Sequence, residues 1–370
     1  MSRAQLKQSH ALPETGALVV VTGASGYVGS HLVQKLLSRG HHVRACVRDV
    51  NNERKCGFLK QMPEYSSGEL TLHSADMTKP GAYDEIFEGP VCVFHPAEVF
   101  MSFSSGRDQK QARADFGNQK LKRNSLKNAA FLSSQYVVDS IDKSTTVKRL
   151  VYTSSVAAVG PMIYENNFII DETREPVGFD ANSYAVMKRA TEHFFSHHGM
   201  ASGGRWSVII GNPGDIIGPI MSPHQARETW QGKLASVLEG GEAPQEAAGR
   251  PWWTVDVRDV AEAEIQLAMK CKRSSNGQRF LLVSGDRVQP ADLGPRINEL
   301  YPDIKPLKNT VCFMPGMKRL FRRHPQWLKV ALDNRKTCTT INYSFYGWDD
   351  TLRATVDSLM NIGGIQPPTK

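Results

Sequence analysis

Tyr184 and Lys188 place a phenol and an ammonium four residues apart in Tyr184-Ala185-Val186-Met187-Lys188. On a helix such a pair shares one face. A phenol with a pKa of about 10 is a poor acid–base group at neutral pH. A neighbouring ammonium stabilises the phenolate and brings the group into range. Upstream, Thr153-Ser154-Ser155 closes an apolar run. A hydroxyl at that strand end is placed to hydrogen-bond a carbonyl oxygen as it gains negative charge. Taken singly, Tyr-x-x-x-Lys pairs are common on surface helices, and serine-rich strand ends often only cap a turn. Their meaning depends on the elements that carry them.

Those elements begin with Val19-Val20-Val21-Thr22, four β-branched residues that read as a buried strand, followed by Gly23, Gly26 and Gly29. Val28, Leu32, Val33, Leu36 and Leu37 then recur at helical spacing, with Gly40 at the C-terminal cap position. In strand, glycine turn, helix, the backbone can approach a pyrophosphate and the free N–H groups of the helix start attract its charge. The same glycines could merely pack helix on strand, and the motif gains weight only from residues further down the chain. The second strand, Val43 to Arg48, ends on a cation, and Arg54-Lys55 comes next in the loop. A dinucleotide without a 2′-phosphate is usually met here by an acid, whereas arginine forks match phosphate oxygens. The reading favours NADP(H), with Asp49 directly after Arg48 opposing it.

Strands and helices alternate onward: Leu70 to Ala75, Val91 to His95, a helical pattern over Leu126 to Ile141, strand Arg149 to Thr153, a helix from about Ser183 to His197, and strand Ser207 to Ile210. That alternation predicts an α/β chain, a Rossmann-type doubly wound parallel sheet. Beyond Asn212 the chain is richer in proline and glycine. It reads as a smaller C-terminal substrate lobe over the sheet's carboxyl edge, where ligands bind in open α/β sheets. The expected division is a dinucleotide-binding domain over 17–212 and a mostly substrate-binding lobe over 213–365, integrated as one unit.

Composition narrows the classes. The 370 residues carry a net charge of +8, but seven of the basic residues fall between Arg107 and Lys127. That segment lacks the interleaved aromatics that stack bases, so a solvated basic face is preferred to a nucleic-acid site. No run reaches membrane-spanning length and Met1 to Thr15 has no apolar signal core, so a cytoplasmic protein is expected. Six scattered cysteines without a CxxC pair point to thiols, neither a disulfide framework nor a zinc site. His41-His42 and His197-His198 lack a third ligand, and no metal is expected.

The chain resembles an extended short-chain dehydrogenase/reductase, within the NAD-dependent epimerase/dehydratase superfamily. It is most similar to the group of dihydroflavonol reductases, cinnamoyl-CoA reductases and ketone/aldehyde reductases. Carrying the resemblance are Val21 to Ser30, Val43 to Asp49, Ala75-Asp76-Met77, Val93-Phe94-His95, Arg149 to Ser155, Tyr184 to Lys188 and Asn212 to Pro219, and it extends from about Leu18 to Ile365. It implies that Ser155 orients the substrate carbonyl, Tyr184 donates the proton, and Lys188 holds the nicotinamide ribose and lowers the tyrosine pKa. Gly23, Ser25, Gly26, Tyr27, Val28 and Gly29 would line the pyrophosphate, Arg48 and Lys55 the 2′-phosphate, Asp76 and Met77 the adenine, and Asn212 and Pro213 the nicotinamide. The implied activity is hydride transfer from NADPH to a small-molecule carbonyl, by a monomer or homodimer.

The chain departs from the group at several places. His95-Pro96-Ala97-Glu98 has a carboxylate where a small residue is usual, which implies a displaced loop or an altered redox preference. A basic stretch spans about 104–128, and Asn128 to Ser134 lacks the expected Gly-Thr. Val255-Asp256-Val257-Arg258-Asp259-Val260 has an aspartate where histidine is frequent, and Trp252-Trp253 are either a substrate wall or core. Alternatives on the same scaffold are a hydroxysteroid dehydrogenase/isomerase, a sugar-nucleotide epimerase, which the Arg44/Arg48 pair argues against, and a non-catalytic dinucleotide-sensing regulator. Substrate choice lies in loops near 160–180 and 215–255.

Overall fold

The structure is a computed structural model that describes residues 12–98, 123–159, 169–175, 183–241, 252–288, 292–305, 307 and 331–369. The first half runs β1 (Leu18–Thr22), α1 (Tyr27–Ser38), β2 (His42–Val47), α2 (Glu53–Lys60), α3 (Pro63–Ser67), β3 (Leu70–Ser74), β4 (Cys92–His95), α4 (Arg123–Lys143) and β5 (Arg149–Thr153). Then come β6 (Ile169–Ile170), α5 (Ser183–Ala201), β7 (Ser207–Pro213), β8 (Asp215–Ile217), α6 (Thr229–Leu238), β9 (Trp252–Asp256), α7 (Val257–Lys270) and β10 (Gln278–Leu282). The remainder holds β11 (Arg287–Val288), α8 (Leu293–Leu300), β12 (Ala331–Leu332), α9 (Arg335–Ile341) and α10 (Trp348–Asn361).

Seven strands form one sheet in the order β10-β7-β5-β4-β1-β2-β3, every pairing parallel. The alternation of strand side chains decides which layer each residue joins. Val19 and Val21 face α1 and α7, meeting Leu32, Val33, Leu36, Ala261 and Ile265. Val20, Val93, Leu150 and Val208 face the other way, onto Val137, Val138 and Ile141 of α4 and Phe195 of α5. Each such fully buried side chain contributes roughly 1.5–3 kcal/mol of transfer free energy. The expected strands and helices are present, with α5 four residues longer than expected.

The second half is interleaved with the first. β10, from within 213–365, supplies the sheet's outer strand beside β7, and α7 covers the same face as α1. The lobe has its own core, where Ile217, Leu234, Leu238 and Trp252 meet Ile297, Leu352, Val356 and Leu359. Trp252 packs on Trp230 at 4.6 Å between ring centroids, and Trp253 is buried with Val159, Leu281 and Val283. The tandem tryptophans are therefore core. Residues 99–122, most of the basic stretch, lie outside the described residues, as do parts of both loops expected to choose the substrate.

Candidate active site

The acid–base residues converge at the carboxyl ends of β4, β5 and β7. Ser155 follows β5 and opens a short 3-10 turn, where its Oγ accepts the Ala157 N–H at 3.1 Å. Ser155 also hydrogen-bonds the Tyr184 side chain. Tyr184 and Lys188 lie on successive turns of α5. Lys188 is 3% exposed. Its Nζ donates to the Thr153 carbonyl at 3.0 Å and meets Glu98 Oε2 at 2.5 Å. The ammonium is also 5.0 Å from the Tyr152 ring centroid and 5.9 Å from that of Tyr184.

Glu98 changes the electrostatics expected of this pair. Burial opposes the charge on Lys188, but the Glu98 carboxylate, with Tyr152 and Tyr184, holds it well above the ordinary lysine range. The Tyr184 phenol is not lowered overall. Burial raises it and Glu98 and Asp215 add to that, outweighing the Lys188 ammonium and the Ser155 hydrogen bond. The downward shift expected from Lys188 alone is thus overcome, because a carboxylate shares the ammonium and the phenol is removed from water.

A second buried acid organises the site from behind. Glu192, one turn beyond Lys188 on α5, is fully buried. It accepts from Ser154 Oγ at 2.5 Å and Asn212 Nδ2 at 2.6 Å, and it pairs with Arg189 at 2.9 Å and Arg279 at 3.0 Å. Asn212 also donates to the Ser155 carbonyl at 2.9 Å. Glu192 therefore ties β5, α5, β7 and β10 together at one point. Sequence reasoning missed it, although the chain holds the signal: a carboxylate at i+4 from Lys188 and i+8 from Tyr184, on the same helical face.

Across the sheet, the glycine turn forms a cradle. Gly23 adopts φ +60°, and its N-terminal neighbours on β1 run straight into it. A Cβ on Gly29 would stand 2.3 Å from the Gly23 carbonyl oxygen, so only hydrogen fits there. α1 starts at Gly26 with no side-chain cap and no acid in its first turn, leaving its N–H groups available to an anion. Ser25 turns its carbonyl to the lobe, accepting from His224 Nε2 at 3.0 Å and Gln225 Nε2 at 3.3 Å. The Tyr27 hydroxyl donates to the Gly218 carbonyl at 2.7 Å, and Val28 packs between two core clusters. Tyr27 and Val28 thus fix the turn through their side chains.

Arg48, Arg54 and Lys55 are exposed beyond the end of β2. Asp49 caps the Asn51 N–H at 2.9 Å. Arg44 does not join this group. Its guanidinium donates to the carbonyls of Ile86 and Glu88 at 2.8 and 2.7 Å, so it fastens the turn before β4 and carries no argument about the cofactor. Asp76 accepts the Thr78 N–H and hydroxyl at 3.0 and 2.7 Å. Burial opposes its ionisation, but those bonds and the Arg48 charge keep its carboxyl below the ordinary range. Met77 packs against the β1 and β4 side of the core. Pro213 ends β7 beside Asn212, whose Oδ1 is buried with no partner among the described residues. A cradle closed to any side chain, a helix start free of acids and an orphaned amide oxygen at the opposite end fit a dinucleotide.

Residues 19–282 match the model of the NAD dependent epimerase/dehydratase family. The chain belongs to that family. Within it, this extended short-chain dehydrogenase/reductase is 32% identical over 305 residues to cinnamoyl-CoA reductase CAD2 of Medicago truncatula, covering 78% of this chain and 82% of that one. It is 33% identical over 211 residues to the bifunctional dihydroflavonol 4-reductase/flavanone 4-reductase of Pyrus communis, covering 55% and 56% of the two chains. Among solved structures, yeast methylglyoxal/isovaleraldehyde reductase Gre2 complexed with NADPH superimposes with a TM-score of 0.70 at 21% identity, over 94% of this chain and all of that one. Among the described residues, no helix of this family member is long and apolar enough to cross a membrane.

Proposed function

We propose that the protein is an NADPH-dependent reductase that converts the carbonyl of a ketone, aldehyde or dihydroflavonol-like substrate to an alcohol. The observations that carry this reading are the convergence of Ser155, Tyr184 and Lys188 at the sheet's carboxyl edge and the glycine turn of Gly23, Gly26 and Gly29 after β1. The names of the relatives, which are reductases, support the same direction.

When bound, NADPH supplies the hydride. The chain's own residues do the rest. Arg48 and Lys55 meet the 2′-phosphate as forked and point charges respectively, Asp76 and Met77 flank the adenine, and the α1 N–H groups hold the pyrophosphate. Lys188 holds the nicotinamide ribose, with Asn212 and Pro213 at that end. Ser155 donates to the carbonyl oxygen as charge develops there, and Tyr184 gives the proton.

The test is Tyr184→Phe, assayed with aldehydes, diketones, dihydroflavonols and steroids by NADPH absorbance, with NADH in parallel. The variant is expected to bind NADPH near the parent affinity and to lose turnover. Full activity in the variant refutes the assignment. Failure of the parent to oxidise NADPH with every class transfers the weight to a dinucleotide-sensing regulator.

A further inference from the structure

Glu98 is the residue that the family pattern leaves unexplained. It follows β4 in His95-Pro96-Ala97-Glu98 and is 17% exposed as a side chain. The side chain reaches Lys188 Nζ at 2.5 Å, on an ammonium otherwise bonded to the Thr153 carbonyl. Lys188 is the cation that favours ionisation of the Tyr184 phenol, against the larger opposing effect of burial.

We propose that Glu98 is a positioning residue acting through Lys188: by holding the ammonium on its own carboxylate, it keeps Tyr184 a neutral O–H donor and commits the site to giving a proton. The proposal rests on the assignment of the protein as a reductase. In that reaction the carbonyl carbon receives the hydride that NADPH loses on becoming NADP+, and the oxygen receives the Tyr184 proton. The phenolate left behind regains a proton from water. The forming alkoxide is a far stronger base than a phenolate, so a reluctant phenol still delivers its proton to it. The same phenol is a poor base for the reverse direction.

Charged and titratable groups face the pair from several elements. From β4 and its end come His95 and Glu98, from β5 Tyr152, from β8 Asp215, and from α7 Glu264. His95 is buried and held neutral, its range lowered to about 3 by burial and by Lys188. Its Nδ1 is 2.8 Å from Thr22 Oγ1. The Tyr152 phenol is raised by burial beyond any physiological ionisation. Asp215 acts on Tyr184 in the same direction as Glu98. Glu264, also buried, is raised to about 8. That leaves Glu98 as the carboxylate in direct contact with the ammonium.

The experiment is Glu98→Gln, which keeps the shape and removes the charge, with Glu98→Asp as the conservative rescue. Tyr184 is titrated without cofactor or substrate, as the tyrosinate absorbance difference between each protein and its counterpart carrying Tyr184→Phe. Releasing the full Lys188 charge onto the phenol is expected to move its ionisation down by at least about one pH unit, a tenfold rise in phenolate at a given pH. In turnover, the alkaline fall of reductive kcat moves down by the same amount, and Glu98→Asp moves both back toward the parent. Coincident titrations of parent and Glu98→Gln, or a shift to higher pH, overturn the proposal. A shifted titration with no carbonyl reduced by any protein sustains the role of Glu98 and sinks the reductase reading instead.

Discussion

Glu264 offers a test of how the site is built that does not depend on its chemistry. It lies on α7 behind β5 and β7, fully buried, with Oε1 placed where a Cβ on Gly211 would be 2.9 Å away. Burial pushes the carboxyl from 4.5 up to about 8, against smaller opposing effects of the Thr153 hydroxyl and Lys188. The folded protein therefore holds a proton that the unfolded chain has released across that interval. Stability from this group is complete below the unfolded value and is lost as pH rises toward the folded one.

At about 1.4 kcal/mol per unit, the loss is about 3 kcal/mol at neutral pH and about 5 kcal/mol once the buried carboxyl ionises. Glu264→Gln keeps the shape and cannot ionise. In a chain of 370 residues, 5 kcal/mol corresponds to about 6 °C in Tm. Thermal unfolding of parent and variant at a series of pH values is the assay. Below about pH 5 the two are expected to melt together. Above about pH 8 the variant should melt several degrees higher. The pH dependence of the difference isolates Glu264 from groups common to both proteins, such as Asp259, which burial raises to about 6. A difference that does not change with pH, or a variant less stable at alkaline pH, refutes the reasoning.

Two further outcomes rest on the contacts. Gly29→Ala forces a Cβ against the Gly23 carbonyl oxygen, backbone that cannot swing aside. It should cost about 1–3 kcal/mol of stability and weaken NADPH binding at least about tenfold, and an unchanged dissociation constant by NADPH fluorescence contradicts the cradle. Glu192→Gln leaves the Arg279 guanidinium buried without its carboxylate, a loss of about 3–5 kcal/mol or roughly 5 °C in Tm. Because Glu192 also anchors Ser154 and Asn212, kcat should fall more than KM rises, and a wild-type kcat in the folded variant would show that the anchor does not reach the chemistry.

What the sequence makes legible is local in the chain. β1 and β5 are runs of apolar residues long enough to be strands, and Tyr184 with Lys188 is a spacing within two turns of one helix. Their chemistry could be read because residue type, spacing and element agree. The Lys188–Glu98 pair joins a helix to a loop far away in sequence, and no periodicity connects the two. Arg44 and Arg48 look alike in the sequence, but Arg44 lies within β2 beside the turn before β4, where it donates to the carbonyls of Ile86 and Glu88, whereas Arg48 lies past the strand's end. Trp252 and Trp253 are ambiguous for the same reason: an apolar pair fits a wall or a core until the opposite layer is known. β10 shows the limit for domains, since a strand completing the sheet is encoded well inside the stretch that composition assigns to the lobe.

The glycine turn itself illustrates how the non-local part completes a local motif. Three glycines supply room, with the Gly26 N–H closing the turn on the Gly23 carbonyl at 2.9 Å, but a turn also exposes carbonyl oxygens that repel a phosphate. Here Ser25 O is covered by His224 Nε2 and Gln225 Nε2 from the lobe. His224 accepts at Nδ1 from Ser222 Oγ, 2.9 Å away, which leaves Nε2 as the N–H donor. Burial lowers the histidine's range, so it makes this contact as a neutral ring and adds no charge of its own. Gln225 reaches Ser30 Oγ at 3.2 Å as well, and His31 Nε2 meets the Pro219 carbonyl at 2.9 Å. The segment between β8 and α6 thus neutralises the repulsive face of the turn and ties it to the lobe. A glycine triplet alone specifies a tight bend. The donors packed on it from some two hundred residues away satisfy the Ser25 carbonyl, which removes a repulsion that an anion at the helix start would meet.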